Sequence, residues 1–240
     1  MSNLSQTPCA FCRINQQCQQ YYHSNGTTNQ QHIQAIQNDE LTHGTVVLAE
    51  TSHCTIFQPR DSVAQSHLLI VTKSHINNLN DVTYNHIELL QHMVSTGYYC
   101  MVHEDQLANN STGTSIQQPT QINDKQLIPY NDIHYDIYAR GWVPQNGFRF
   151  VFHRPPFNSI DHLHLHTQRL PYLYYSSIAM YAPGTWWCAD ASDIIKELRI
   201  KKAAALKNGT YKPAEPVINI EAPSTPSTVI ELGERSSVMD

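Results

Sequence analysis

Apolar residues recur along this chain with two periods, and segments of the two kinds alternate. Residues 45–50, 54–57 and 67–72 are short and rich in Val, Ile, Leu and Phe, and they read as strands. From 81 to 103, Ile87, Leu90, Val94, Tyr98 and Met101 recur at helical spacing behind Asp81 or Thr83, either of which suits an N-cap. Phe148, Phe150 and Phe152 then alternate with Arg149, Val151 and His153, the pattern of a half-buried strand, and Pro155-Pro156 breaks it. Residues 190–206 predict a C-terminal helix, capped by Asp190 and closed by Gly209 just beyond its end. Strands in runs with helices between them, joined as an antiparallel meander, belong to the α+β class rather than to a doubly wound sheet.

Between these elements the composition shifts. Residues 15–38 are rich in Gln and Asn and nearly free of aliphatic side chains, and 105–125 are similar, so both read as polar insertions outside the core. Residues 208–240 carry Pro213, Pro216, Pro223 and Pro226 among Ser and Thr and are expected to be disordered. What remains of the 240 residues is enough for one hydrophobic centre.

Charge and leader signals narrow the class. A net charge of −5 with 15% charged residues argues against a general nucleic-acid binder, since such a protein shows a basic surplus. No apolar run is long enough to span a bilayer. The start Met-Ser-Asn-Leu-Ser-Gln lacks the basic beginning and apolar core of a signal peptide, so the expected location is cytoplasmic, nuclear or both. In such a compartment the six cysteines are thiols or metal ligands rather than a disulfide framework, and the sequons at Asn25, Asn110 and Asn208 stay idle.

The chemistry concentrates in residues 161–167, Asp-His-Leu-His-Leu-His-Thr. Side chains alternate along a strand, so His162, His164 and His166 share one face while Leu163, Leu165 and Thr167 share the other. Neighbouring imidazoles then stand roughly 6.5–7 Å apart, close enough for one to attack a phosphorus atom while another contacts its oxygens. With 14 histidines in the chain, three at this spacing arise by chance in about one such chain in twenty, and chance does not add the leucine alternation.

Four separated pieces, in order, resemble the histidine-triad superfamily. Cys9-Ala10-Phe11-Cys12-Arg13-Ile14 is similar to its N-terminal C-φ-F-C-[KR]-I, and 66–76 to its H-φ-φ-φ-P-K-x-H-I strand and turn. Residues 148–162 resemble its R-φ-φ-F-H-x-P-P-F-x-S-φ-x-H run into the triad, and Trp186-Trp187 with 193–199 its W-F…I-E-K-L-R element. The last two resemble the branch of adenosine 5′-monophosphoramidases. The resemblance covers roughly residues 8–200 and implies an antiparallel sheet of about five strands with a long helix, a C-terminal helix and a possible homodimer.

It also implies roles. His164 matches the nucleophile that attacks the α-phosphorus of a nucleotide and is transiently nucleotidylated before water releases the monophosphate. His166 and His67 match the contacts to the phosphoryl oxygens, and Ser159 the serine that hydrogen-bonds the leaving group. Phe11, Ile14 and Phe57 fall on the apolar slot for the base. Pro59 stands where the family carries an acid for the ribose hydroxyls, and a proline side chain accepts no hydrogen bond. His153 is read as flanking the pocket. The expected activity is cleavage of a P–N or P–O bond at the α-phosphate of an adenosine nucleotide. The alternatives are dinucleoside polyphosphate hydrolysis or a weakly active nucleotide-binding scaffold.

Cys9-x-x-Cys12 alone fits either two buried thiols or half a tetrahedral metal site. In zinc-bearing relatives the histidine of the strand turn and the first triad histidine complete the set. Here these are His75 and His162, so the resemblance implies a structural zinc on Cys9, Cys12, His75 and His162. Cys18, Cys54, Cys100 and Cys188 are expected to be structural.

Overall fold

The computed structural model describes residues 9–23, 46–59, 61–109, 119–133 and 147–213. Most of the two polar insertions and all of the tail from residue 214 lie outside them. The described part is a seven-stranded sheet with helices on both faces, a mixed α+β architecture. The strands are β1 (Val46–Glu50), β2 (Cys54–Gln58), β3 (Ala64–Thr72), β4 (Thr120–Gln121), β5 (Phe148–His153), β6 (His164–Tyr172) and β7 (Cys188–Asp190), in spatial order β4-β1-β2-β3-β6-β5-β7. The pairings are antiparallel except β1 with β4, which is parallel. The expected five-stranded antiparallel sheet is thus extended by two short edge strands. A strand of two or three residues carries too little periodicity to be seen in a sequence.

The helices are α1 (Ala10–His23), α2 (Ile87–Val102), α3 (Glu104–Asn109), α4 (Tyr175–Tyr181) and α5 (Ala191–Lys207). The periodic stretch 81–103 resolves into two 3₁₀ turns, Leu79–Asp81 and Tyr84–His86, leading into α2. Thr83 starts the second turn: its hydroxyl accepts from the Asn85 amide, while its own amide donates to His86 Nδ1 at 3.0 Å. Asp190 is the N-cap residue of α5, but its carboxylate faces Arg149 rather than the helix amides. Gly209 closes α5 at φ +67°, a conformation few other residues adopt cheaply.

Strand register sorts side chains onto two faces. Partners Ile56↔Ile70, Ile70↔Leu165 and Phe150↔Thr167 direct these residues to the face covered by α2 and α5. There Ile87, Leu90, Met93, Val94, Met101, Ile194, Ile195 and Leu198 complete the main core. A side chain at Gly97 would meet Thr167 Oγ1 at 2.5 Å and Phe150 at 3.2 Å, so only glycine lets α2 lie this close to the sheet. The other face carries Phe57, Leu69 and Val71 together with His67, His164, His166, Gln168 and Arg149. Strand β5 is therefore buried on both faces, Arg149 at 2% exposure and Val151 at 0%, and is not the half-buried strand its alternation predicts.

α1 lies on this second face. Phe11, Ile14 and Cys18 pack against Phe57, Leu69 and Val71, and Asn15 Nδ2 donates to the Thr72 carbonyl at 3.0 Å. The Gln/Asn-rich stretch expected to leave the core at residue 15 therefore begins inside a packed helix. The i, i+3, i+7 spacing of Phe11, Ile14 and Cys18 supplies an apolar stripe that the surrounding glutamines mask in composition. The second polar stretch likewise contributes α3, β4 and a 3₁₀ turn at Asp124–Gln126.

Candidate active site

His164 and His166 open β6, paired with Val71 and Leu69 of β3. His162 precedes the strand, where Leu163 donates its amide to the Ile76 carbonyl at 2.7 Å and binds this segment to the turn after β3. The three histidines therefore serve two different clusters rather than one uniform row.

In the first cluster His164 Nδ1 lies 2.7 Å from the His162 carbonyl oxygen. A carbonyl only accepts, so Nδ1 carries the proton and Nε2 presents its lone pair. His166 Nδ1 lies 3.0 Å from His67 Nε2, the two rings stacked at 5.2 Å, while His166 Nε2 is buried with no protein partner. The His164 and His166 ring centres are 5.1 Å apart. His153, placed beyond the cluster by the sequence, belongs to it: its ring centre lies 4.4 Å from that of His166. The cluster is closed by Tyr181 of α4, 3% exposed, whose ring stacks on His153 at 5.3 Å and whose hydroxyl lies 3.5 Å from His166 Nδ1. Nothing in the sequence singled out Tyr181, because α4 is short and its other aromatic residue, Tyr175, is exposed.

Burial sets the charge state of the cluster. It pushes His67 and His153 down to about 4 each, helped in His67 by His153 and in His153 by His164. His164 is lowered by burial against the opposing bond to the His162 carbonyl, and His166 is held well below the usual imidazole range by burial and its three histidine neighbours. At neutral pH all four are neutral, each with one N–H and one lone pair. That state suits a nucleophilic imidazole beside imidazole donors.

The second cluster gathers Cys9, Cys12, His75 and His162. One ligand atom from each lies within 4.8 Å of the others. His162 Nε2 donates to the Thr72 carbonyl at 2.7 Å and His75 Nε2 to Asn77 Oδ1 at 3.0 Å. Both Nδ1 atoms are thus lone pairs, and they face each other at 3.1 Å. Cys9 Sγ stands 3.3 Å from His162 Nδ1, and Cys12 Sγ 3.1 Å from His75 Nδ1. Two lone pairs repel at this distance unless a cation lies between them. A tetrahedral zinc with bonds of about 2.0 Å to nitrogen and 2.3 Å to sulfur has ligand edges of roughly 3.3–3.8 Å, a few tenths of an ångström longer than the shortest of these separations. The four residues can hold a metal ion, and the Thr72 carbonyl and Asn77 Oδ1 fix the two imidazoles with Nδ1 turned inward.

The remaining expected site residues are placed as follows. Phe11, Ile14 and Phe57 come together, Phe11 and Phe57 with ring centres 5.2 Å apart, and Phe11 meets the rings of His162 and His164 edge-on. All three are buried, at 5%, 2% and 2% exposure, so they form packed core rather than an open slot. Ser159 lies in an exposed bend, with no hydrogen bond to the histidines among the described residues. Cys18, Cys54, Cys100 and Cys188 are buried free thiols, as expected.

Comparison with known proteins finds relatives for this sheet of paired imidazoles with a buried, unpartnered ring nitrogen. The profile of the family described as "Scavenger mRNA decapping enzyme C-term binding" matches residues 9–118. The bifunctional adenosine 5′-phosphosulfate phosphorylase/adenylylsulfatase HINT4 of Arabidopsis thaliana is 32% identical over 119 residues, 49% of this chain and 56% of that protein. The adenosine 5′-monophosphoramidase HINT3 of Mus musculus is 24% identical over 156 residues, 62% of this chain and 73% of that protein. Among solved structures, a histidine triad protein from Clostridium difficile aligns with 71% of this chain and 97% of its own, at 16% identity and a TM-score of 0.35. The chain is similar to proteins of the histidine-triad superfamily, and its match spans little more than half the length of the plant relative.

Proposed function

We propose that this protein is a hydrolase that breaks a P–N or P–O bond at the α-phosphate of an adenosine nucleotide through a nucleotidyl-His164 intermediate. One observation carries the reading: His164 gives its Nδ1 proton to the His162 carbonyl at 2.7 Å, which leaves Nε2 free to attack. The new P–N bond to Nε2 forms as the bond to the leaving group breaks, and the leaving group departs with a proton from solvent, which the water attacking in the second step returns. Water then attacks the same phosphorus, frees the nucleoside monophosphate and restores neutral His164. His166 Nε2, buried without a protein partner, supplies the polar contact for a phosphoryl oxygen, with His67 behind it. Ser159, exposed on the loop entering the triad, is free to meet the leaving group. Cys9, Cys12, His75 and His162 would hold a zinc ion whose contribution is structural, since it would tie α1 and the β3 turn to the residue before the triad strand. The relatives' names, an adenylylsulfatase and a monophosphoramidase, support this substrate class.

A second reading, a nucleotide-binding scaffold with little turnover, is favoured by the closed packing of Phe11, Ile14 and Phe57 beside Pro59. One experiment separates the two. Protein mixed with an adenosine phosphoramidate and quenched should gain the mass of one adenylyl group, and His164→Ala should neither gain it nor turn over while keeping its fold. A folded His164→Ala protein that retains most of the activity would overturn the mechanism; substrate binding without label or turnover in the native protein would leave the scaffold.

A further inference from the structure

Among the described residues Tyr181 is the one side chain other than histidine in the ring cluster around His166. It is buried at the end of α4, a helix whose other long side chains, Tyr175 and Met180, are exposed. Its ring is stacked on His153, meets His67 edge-on at 6.2 Å and stacks on Tyr172 at 5.9 Å, while its hydroxyl points at His166 Nδ1 from 3.5 Å. Tyr172 in turn donates to Gln168 Oε1 at 3.0 Å, so both aromatic rings are fixed from the strand that carries the triad.

Two groups compete for His166 Nδ1. The proton between His67 Nε2 and His166 Nδ1 can reside on either ring. If it resides on His166 Nδ1, then Nε2 is a lone pair, and a lone pair repels the phosphoryl oxygen it faces. If it resides on His67, then Nε2 of His166 carries the N–H that such an oxygen needs. A hydroxyl donating to Nδ1 is compatible only with the second arrangement. We propose that Tyr181 is a positioning residue for phosphoryl transfer, whose hydroxyl holds His166 in the Nε2–H tautomer and whose ring clamps His153 beside it. Burial pushes the Tyr181 phenol up, so it remains a donor wherever the imidazoles are neutral. The inference rests on the transfer reaction proposed above, and its first test does not depend on that reaction.

Nitrogen-15 NMR of the folded protein reads the tautomer of His166 directly, with or without substrate. The native protein should show the proton on Nε2, and Tyr181→Phe, which keeps the ring and its stacking, should move it toward Nδ1. In turnover, Tyr181→Phe should lower kcat about three- to tenfold, the worth of one modest hydrogen bond, with KM nearly unchanged because the donor acts in the transition state. Tyr181→Leu should lose more, and Phe at the position should recover the part that belongs to the ring. A native His166 protonated on Nδ1, or a Tyr181→Phe protein with the native NMR pattern and native kcat, would overturn the role of the hydroxyl. Absence of turnover in the native protein would instead count against the hydrolase reading, with the tautomer result still standing.

Discussion

On one face of the sheet Ile56, Ile70, Leu165 and Phe150 meet α2 and α5 in a continuous aliphatic core. On the other, the adjacent residues of the same strands are Leu69, His164, His166 and Arg149, beneath α1, α4 and their aromatic side chains. Both faces are shut off from water, since Leu165 and Arg149 are exposed at 0% and 2%. On the first face burial removes apolar surface from water and stabilises. On the second it removes hydration from imidazoles, a guanidinium and a carboxamide, several of whose polar atoms recover only part of it from protein partners. Among the described residues His166 Nε2 and His153 Nε2 are buried without a partner, while the Arg149 guanidinium pairs with Asp190 at 3.2 Å. One strand thus supports the fold with its leucines and gives up stability with its histidines, as expected where polar groups are arranged for a ligand.

The most direct way to break that comparison is to truncate neighbours on opposite faces of β6. Leu165→Ala should cost about 2–5 kcal/mol of stability, because it leaves a cavity in the main core. Its folded fraction should turn over substrate near the native rate. His166→Ala should lower turnover by about 10²–10³-fold and leave stability nearly unchanged, since it removes a group whose burial was incompletely compensated. Denaturant unfolding and turnover of the two purified variants decide it. Equal losses of stability would mean that the histidine face is ordinary core.

A second test acts on the boundary between the faces, where His162 leaves the triad strand to join Cys9, Cys12 and His75. Protein prepared without chelator should carry about one zinc per chain by metal analysis. An ion bound a thousandfold above its dissociation constant stabilises by about 4 kcal/mol, so stripping it should lower Tm on the order of 10 °C. Cys12→Ser should lower zinc content and Tm together. Metal-free protein with an unchanged Tm would return the two cysteines to the role of half-buried thiols.

How far the chain disclosed this in advance depended on how local each signal was. The triad lies within five residues, and alternation alone places His164 and His166 on the face opposite Leu165. The Cys/His set that could hold a metal is legible because each of its residues sits in a recognisable short motif, although Cys9 and His162 are 153 positions apart. What escaped had no local signature. Tyr181 and His153 reach His166 from other elements, and only the pairing of β5 with β6 and the return of α4 bring them there. The burial of Arg149 was misread because alternation shows that two faces differ, without showing that something covers the second. The continuation of α1 past residue 15 is hidden by composition, since a count of glutamine and asparagine does not show the Phe11, Ile14 and Cys18 stripe or the buried bond that Asn15 makes to the Thr72 carbonyl.

The smallest expected effect concerns pH and again divides the faces. His67 and His153 are held near 4 when folded, and burial and its histidine neighbours hold His166 well below the usual imidazole range, against about 6.5 when the chain is unfolded. Between these values the unfolded chain binds protons that the folded chain does not, so acidification favours unfolding. The stability these neutral histidines permit is therefore complete above about pH 6.5 and declines from there to about pH 4. For His67, 3% exposed, the loss is on the order of 3 kcal/mol. Denaturant unfolding followed from pH 7.5 to 4.5 should show this decline in the native protein. His67→Phe should flatten part of it, because a ring of similar size stays buried without a proton to gain. Leu165→Ala should lower the whole curve without changing its slope. A His67→Phe protein with the native slope would mean that the proton uptake on unfolding comes from outside the histidine face.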